Sequence, residues 1–270
     1  MTALYEVLFE LSNEIRHEIL LELAKKDGTM TRLAEIFEIS LTEASRHLSR
    51  LSNANLIEKN VDGRYAISPF GAITLRQLKA LEFVTKHQEY FTTHTVSRIP
   101  SQFVNRLYEL EESSPNYTKR ANIMIVANNV IRIALESTQY VMSLIDEEIM
   151  ELVLYTTPDE ETARFFSDAV ERGVHFKGLL PDTFDPKKVP EDALTLWRRL
   201  SRTSNFEYRA VSSVDVFIHG SEKEVSILAF PDKSGRFDYL GFEAIDHVTL
   251  DWCNDVFQYY WNRSTPLTLF

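Results

Sequence analysis

The sequence predicts an α+β protein with a small helical N-terminal domain that ends in a β-hairpin, a linker helix, and a C-terminal α/β sandwich with a mixed sheet. Three observations predict this fold class. Residues 1–70 repeat apolar side chains at helical spacing and then place an Asp-Gly turn between two short alternating runs. Residues 71–92 form one further helical stretch with an apolar surface. Within residues 93–270, short strand-like runs alternate with helical segments from about residue 150 onward, as in a sheet covered by helices.

The composition is that of a folded protein without a membrane segment. The 270 residues are 44% hydrophobic and 26% charged, a balance that is typical of domains with a core. No stretch longer than eleven residues lacks a charged side chain, whereas a helix that spans a bilayer needs about 20 apolar residues. Glu6 and Glu10 precede the first basic residue, which is unlike a secretory signal. We therefore expect a cytoplasmic protein with no membrane partner.

The charge is acidic and unevenly distributed. The net charge is −11, which argues against a protein that coats nucleic acid along its whole surface. Residues 1–92 hold 11 basic and 13 acidic side chains, whereas residues 93–270 hold 18 and 27. The first third is nearly neutral, so a small local surface in it remains able to bind DNA.

Several classes of catalytic and metal site are excluded by what the sequence lacks. The single cysteine, Cys253, rules out an intramolecular disulfide and a thiolate zinc cluster. The seven histidines form no HExxH motif and no i,i+4 pair. The glycine-rich loops that hold phosphates and the GxSxG nucleophile turn are missing. We expect no metal and no cofactor.

Apolar spacing and capping residues define four N-terminal helices. Leu4–Leu11 predicts the first helix, and Ser12-Asn13 caps a second that ends at Asp27-Gly28. Thr31–Phe37 predicts a short third helix. Ser40 and Glu43 form a capping box, which begins a fourth helix whose expected apolar face is Leu41, Ala44, Leu48 and Leu51.

The opposite face of the fourth helix predicts DNA binding. It carries short polar side chains and two guanidinium groups, which suit the major groove. The hairpin around Asp62-Gly63 adds Lys59 and Arg64 for phosphates beside that groove. This order of elements is that of a winged helix-turn-helix, with double-stranded DNA as its partner. The predicted contact residues are Thr42, Ser45, Arg46, Ser49, Arg50, Lys59 and Arg64.

This region resembles the recognition helix and wing of ArsR-like regulators. Their motif, S-x-H-L-x-x-L-x-x-x-x-L-I, corresponds here to Ser45, His47, Leu48, Leu51, Leu56 and Ile57. The resemblance implies a DNA-binding transcription regulator. The metal-sensing branch of that family is excluded, because the cysteines that it uses as ligands are missing. Two alternatives stay open: a winged helix also serves as a protein-interaction module, and His47 is either packed in the core or in contact with DNA.

The linker helix is predicted over Ala72–Phe91, after a break at Pro69-Phe70-Gly71. Its apolar surface is wider than that of a coiled-coil helix, which has two apolar positions in each heptad. We expect it to pack against the effector domain and against a partner subunit in a homodimer. A plain inter-domain helix in a monomer is the alternative.

The C-terminal two thirds predict helices first and then alternating strands and helices. Helices are expected at 101–111 and from about 117 past 133 toward 145, followed by a strand at 151–156 and a helix at 158–172. Further strands are expected at 174–180, 206–210, 215–218, 224–230 and 239–242, and further helices at 191–200 and 246–261.

The C-terminal region resembles the output domain of archaeal methanogenesis-regulatory winged-helix proteins, which is related to a phospholipase-D-like effector domain. The resemblance rests on 156–180 and on a closing pattern made by Gly241, Phe242, Asp246, Phe257 and Trp261. It implies a sensing role for a small-molecule effector or a second protein. The crevice at the strand ends is the expected pocket, with the candidate ligand-binding residues Tyr155, Thr157, Arg209, Asp215 and His219.

One motif favours an enzyme instead. His175, Lys177 and Asp182 satisfy the HxKxxxxD signature of phospholipase-D phosphodiesterases. That chemistry needs two facing motifs, and the sequence has only one, on an earlier strand than the family uses; His219 and Lys223 have the wrong spacing. We therefore predict a non-catalytic domain in a dimeric regulator. The alternatives are a phosphodiesterase fused to a DNA-binding head and an adaptor of the transcription machinery.

Overall fold

A computed structural model describes residues 3–117, 123–156 and 160–267. The chain divides into two compact units, residues 1–82 and 83–270. The division falls inside a helix that runs from Pro69 to Lys86. The structure does not test the expected boundaries at residues 70 and 92.

The N-terminal unit has the predicted order of elements. Asn13, Thr29 and Ser40 cap three of its helices with their side chains, as residues of these types do at helix starts. The elements are α1 (Leu4–Leu11), α2 (Glu14–Lys25), α3 (Met30–Ile36), α4 (Leu41–Asn53), β1 (Ile57–Lys59), β2 (Tyr65–Ile67) and the first part of α5 (Pro69–Lys86).

The hairpin of β1 and β2 is the predicted wing. Its loop, residues 60–64, is longer than a two-residue turn. Within the loop, the Asn60 side chain accepts hydrogen bonds from the backbone N–H groups of Asp62 and Arg64. Gly63 follows with φ +77°, a backbone conformation that favours glycine. Tyr65 exchanges two backbone hydrogen bonds with Gly28. The wing is therefore tied to the segment between α2 and α3.

Pro69 begins α5 instead of breaking the chain, which corrects the sequence-based expectation. Proline is tolerated in the first helical turn, where its missing N–H needs no partner. The Ser68 hydroxyl accepts a hydrogen bond from the Gly71 N–H. A Cβ at Gly71 would lie 2.0 Å from the Leu56 carbonyl oxygen, so only glycine allows this close approach of α5 to the wing.

The C-terminal unit contains seven further α-helices and eight strands within the described residues. They are α6 (Gln88–Phe91), α7 (Ser101–Val104), β3 (Ser114–Pro115), α8 (Ile123–Glu136), β4 (Tyr140–Leu144), α9 (Glu147–Thr156), α10 (Glu160–Glu171), β5 (His175–Pro181), α11 (Glu191–Leu200), β6 (Phe206–Val211), β7 (Phe217–Ser221), β8 (Val225–Ala229), β9 (Phe242–Ala244), α12 (His247–Trp261) and β10 (Thr265–Pro266), with short 3-10 helices at Leu107–Leu110 and Pro186–Lys188.

The eight strands form one mixed sheet, as predicted. Their order is β10-β6-β5-β4-β7-β8-β9-β3. The pairs β4–β5 and β5–β6 are parallel, and the other pairs are antiparallel. One apolar core packs α8, α9, α10 and α11 on one face of the sheet. A second core packs α6, α7 and α12 on the other face.

Three element predictions in this unit are wrong. The run at 151–156 is part of the helix α9, and the strand lies earlier, at β4 inside a stretch predicted to be helical. Short apolar runs do not distinguish a buried strand from a buried helix. The helix expected at 101–111 divides into α7 and a 3-10 helix.

Candidate nucleic-acid interface

Helix α4 presents a polar face to solvent and buries the face behind it. Ser40 and Glu43 form the predicted capping box, with the Glu43 N–H donating to the Ser40 hydroxyl at 3.2 Å and the Ser40 N–H donating to the Glu43 carboxylate at 3.0 Å. Leu41 was expected in the core but is 51% exposed, because it occupies the first turn. The buried residues are Ala44, His47, Leu48 and Leu51, and the exposed ones include Thr42, Ser45, Arg46 and Ser49.

Arg46 and Arg50 have different surroundings, although both were predicted to contact DNA. Arg46 is exposed and has no carboxylate partner in the described part of the chain. Arg50 donates from both Nε and Nη2 to the Glu10 carboxylate, at 2.8 and 2.7 Å. Its guanidinium also lies 5.3 Å from the centre of the Phe9 ring. The charge of Arg50 is therefore neutralised by α1, and Arg46 offers the free guanidinium of this face.

Arg16 also contacts the C-terminal end of α1, next to the ion pair between Arg50 and Glu10. It is 8% exposed, and it donates to the backbone carbonyls of Glu10 and Phe9 at 2.6 and 3.0 Å. Its Nε also lies 3.1 Å from the Glu10 carboxylate. The Arg50 hydrogen bond lowers the pKa of Glu10, so this carboxylate stays charged at neutral pH. Sequence reasoning missed the roles of Glu10 and Arg16.

His47 is packed on the inner side of α4. It is 7% exposed, and its Nδ1 has no hydrogen-bond partner among the described residues. Burial lowers the pKa of His47, because desolvation disfavours the charged ring. This geometry favours a packed histidine over a DNA contact.

The wing carries two exposed cations next to α4 in the sequence. Lys59 Nζ lies 5.4 Å from the centre of the Tyr65 ring, and Arg64 follows the turn at Gly63. Neither side chain pairs with a carboxylate in the described residues. Both are therefore free to neutralise phosphates.

The candidate ligand residues of the C-terminal unit do not converge. Thr157 lies outside the described residues, and Tyr155 is on α9 and not on a strand. The Asp215 carboxylate accepts hydrogen bonds from Ser213 and Tyr260.

Arg209 and His219 lie on opposite faces of the sheet. Arg209 donates to the Ser264 carbonyl and lies over the Trp261 ring, on the α12 side. Successive residues of β7 point to opposite faces of the sheet. His219 therefore lies on the same face as Phe217, which is opposite to the face of Ile218 and α12. Its Nδ1 lies 2.9 Å from the Ser143 hydroxyl, and burial lowers its pKa to about 4. Residues on opposite faces cannot line the single pocket that was expected.

The HxKxxxxD motif is spread along one strand. His175 and Lys177 lie at the start of β5 and face the same cavity, as period two predicts. Asp182 follows the other end of β5, seven residues on from His175, roughly 20 Å away at the usual rise of a strand. The motif residues therefore do not form one catalytic centre.

The described part of the chain shows neither a metal centre nor a membrane-spanning helix. No group of three or more His, Cys, Asp or Glu side chains there could hold a metal ion. None of the helices in residues 3–117, 123–156 and 160–267 combines the length and the apolar character needed to cross a bilayer.

Comparison with known proteins identifies the N-terminal domain. Residues 13–59 match the family model described as bacterial regulatory protein, arsR family. These residues hold α2, α3, α4 and the first strand of the wing. They form a helix-turn-helix that is similar to the DNA-binding domain of arsR-family regulatory proteins. No curated protein sequence matches the chain.

Solved structures show only distant likeness. The structure of TrmBL2, an archaeal chromatin protein with a novel mode of DNA binding, is 15% identical over 98% of this chain and 95% of that one, with a TM-score of 0.41. Nuc from Salmonella typhimurium, a phospholipase D family member, is 11% identical over 57% and 97%, with a TM-score of 0.35. Scores this low give no basis for transferring a function, and the phospholipase-D-like output domain stays a prediction.

Proposed function

We propose that this chain is a homodimeric transcription regulator. Its α4 contacts base edges of operator DNA, and its wing contacts the phosphates beside them. The observation that carries the proposal is the contrast across α4. One face is buried in the domain core, and the other holds Arg46 among short polar side chains with no internal partner. A rigid helix with a free guanidinium on a polar face suits base edges in the major groove.

The exposed apolar side chains of the N-terminal unit support a dimer. On α1, Leu4, Tyr5 and Phe9 are 74%, 73% and 60% exposed. On α5, Ile73 and Leu81 are 63% and 56% exposed. Apolar surface of this kind is typical of protein–protein contacts. A dimer places two recognition helices about 34 Å apart, at successive major grooves.

The C-terminal unit is the sensing part of the proposed regulator. Its helix-covered mixed sheet binds an effector, and effector binding favours one arrangement of the DNA-binding heads over another. The effector shifts operator affinity only as far as it discriminates between those arrangements. The scattered HxKxxxxD residues favour this role over phosphodiesterase activity.

Selection of binding sites from a randomised DNA duplex tests the proposal. We expect enrichment of an inverted repeat whose half-sites are about 10 base pairs apart, centre to centre. Each subunit brings Lys59 and Arg64 to phosphates, so the logarithm of affinity should fall with the logarithm of salt concentration with a slope of about −4. If no sequence is enriched and the chain binds all duplexes equally in a salt-dependent way, the result would contradict an operator-specific regulator. It would favour an adaptor of the transcription machinery.

A further inference from the structure

A cavity of about 390 Å³ lies in the C-terminal unit between the start of two parallel strands and α12. Its volume is within the range of small-molecule sites, about 300–1,000 Å³. Strands β4 and β5 supply one side and α12 supplies the other. The side chains that matter for recognition are Tyr140, Met142, His175, Lys177, Asn254 and Gln258.

Lys177 gives the cavity a positive charge without a neutralising partner. It is half-buried, and no carboxylate pairs with it in the described residues. Its Nζ lies 5.3 Å from the centre of the Trp261 ring. By contrast, Glu224 in the turn between β7 and β8 neutralises Arg132 of α8. An unpaired ammonium is notable in this acidic part of the chain, where 27 acidic residues outnumber 18 basic ones.

Three carboxylates near the cavity make no ion pair with Lys177 within the described residues. Glu207, the register partner of Lys177 on β6, is exposed. Glu222 accepts hydrogen bonds from the Thr138 N–H, the Thr138 hydroxyl and the Tyr140 N–H. Asp251 is exposed on the second turn of α12. Burial raises the pKa of Tyr140, and the charges of Glu222 and Asp251 add to this effect. The Tyr140 hydroxyl therefore remains a hydrogen-bond donor.

The rest of the lining fits an uncharged ligand body. Met142 and Phe257 are buried apolar side chains. The side-chain amides of Asn254 and Gln258, like the imidazole of His175, form no hydrogen bond within the described chain. A few unpaired polar groups on an apolar lining are typical of a specific small-molecule site.

We propose that this cavity binds a small organic anion, a carboxylate or a phosphate monoester with an apolar body. Lys177 and His175 hold the anionic group, and Met142 and Phe257 contact the body. Tyr140, Asn254 and Gln258 complete the polar contacts. This inference rests on the sensing part of the proposed function and names the chemistry of its effector.

The test uses benzoate and phenyl phosphate as probes and benzamide as the neutral control. Binding is measured by calorimetry on the full chain without DNA, and by tryptophan fluorescence, to which Trp261 beside Lys177 contributes. We expect saturable binding of at least one anion and much weaker binding of benzamide. Whichever anion binds more tightly identifies the head group. Lys177→Met should weaken binding roughly tenfold to hundredfold, because a hydrogen bond to a charged group is lost.

Matched variants separate the site from general electrostatics. Lys187→Met removes the same charge from an exposed position in a 3-10 helix and should leave anion binding unchanged. Lys177→Arg should retain most of it. The proposal is overturned if neither anion saturates, if benzamide binds as tightly as benzoate, or if Lys177→Met binds like the wild type. Because DNA is absent, none of these outcomes bears on operator recognition.

Discussion

Replacing Arg46 by alanine will weaken binding to the selected operator by at least about 30-fold. A bidentate contact between arginine and a base is worth about 1–3 kcal/mol, and a homodimer loses two such contacts. Arg46 is exposed and has no internal partner, so the fold and the melting temperature should not change. Fluorescence anisotropy with the operator and a scrambled duplex of equal length measures both affinity and specificity.

Arg50→Ala is the matched control on the same helix. Because Glu10 already holds the Arg50 guanidinium at 2.7–2.8 Å, this variant should keep its preference for the operator over the scrambled duplex. Arg46→Ala should lose that preference. The assignment of Arg46 to the bases would be wrong if Arg46→Ala prefers the operator over the scrambled duplex as strongly as the wild type does. It would also be wrong if only Arg50→Ala loses that preference.

Trp252→Ala will destabilise the C-terminal unit by about 3–5 kcal/mol, the usual cost of removing a large buried aromatic side chain. Trp252 is fully buried, and its indole N–H donates to the Phe103 carbonyl at 3.3 Å. Its ring packs edge-on against Phe103 and Phe230. Urea unfolding followed by circular dichroism measures the loss of stability.

Tryptophan fluorescence restricts this measurement to one unit. The other two tryptophans, Trp197 and Trp261, also belong to residues 83–270. Their fluorescence therefore reports unfolding of the C-terminal unit alone. Trp252→Phe, which keeps most of the apolar volume, should cost much less. A Trp252→Ala protein that unfolds at the wild-type urea concentration would contradict the packing of α12 against the sheet.

Much of the DNA-binding domain could be predicted because its signals are local. The Ser40–Glu43 capping box acts within three residues, so the local sequence is enough to predict it. The Asp62-Gly63 pair locates the hairpin, although its loop spans residues 60–64. The strand β4 could not be predicted in the same way. Its five residues are buried by strands that lie far away in the sequence, and tertiary context overrides the local pattern.

The details of the sites depend on distant contacts. Glu10 neutralises Arg50 across 40 residues, and no local pattern reveals that pairing. Arg209 and His219 were grouped as pocket residues, but the sheet places them on opposite faces. The shared face of His175 and Lys177 did follow from strand periodicity. The cavity above them did not, because its other wall comes from α12, about 80 residues later.

Cross-linking from residue 45 tests the central claim most directly. Ser45 is exposed in the middle of the polar face of α4, and the only natural cysteine, Cys253, is fully buried. A Ser45→Cys protein can therefore be labelled at one site with a photoreactive group. On the selected operator, we predict one cross-link in each half-site, to a base on its major-groove edge. Tight operator binding without a cross-link from this position would mean that α4 does not enter the groove.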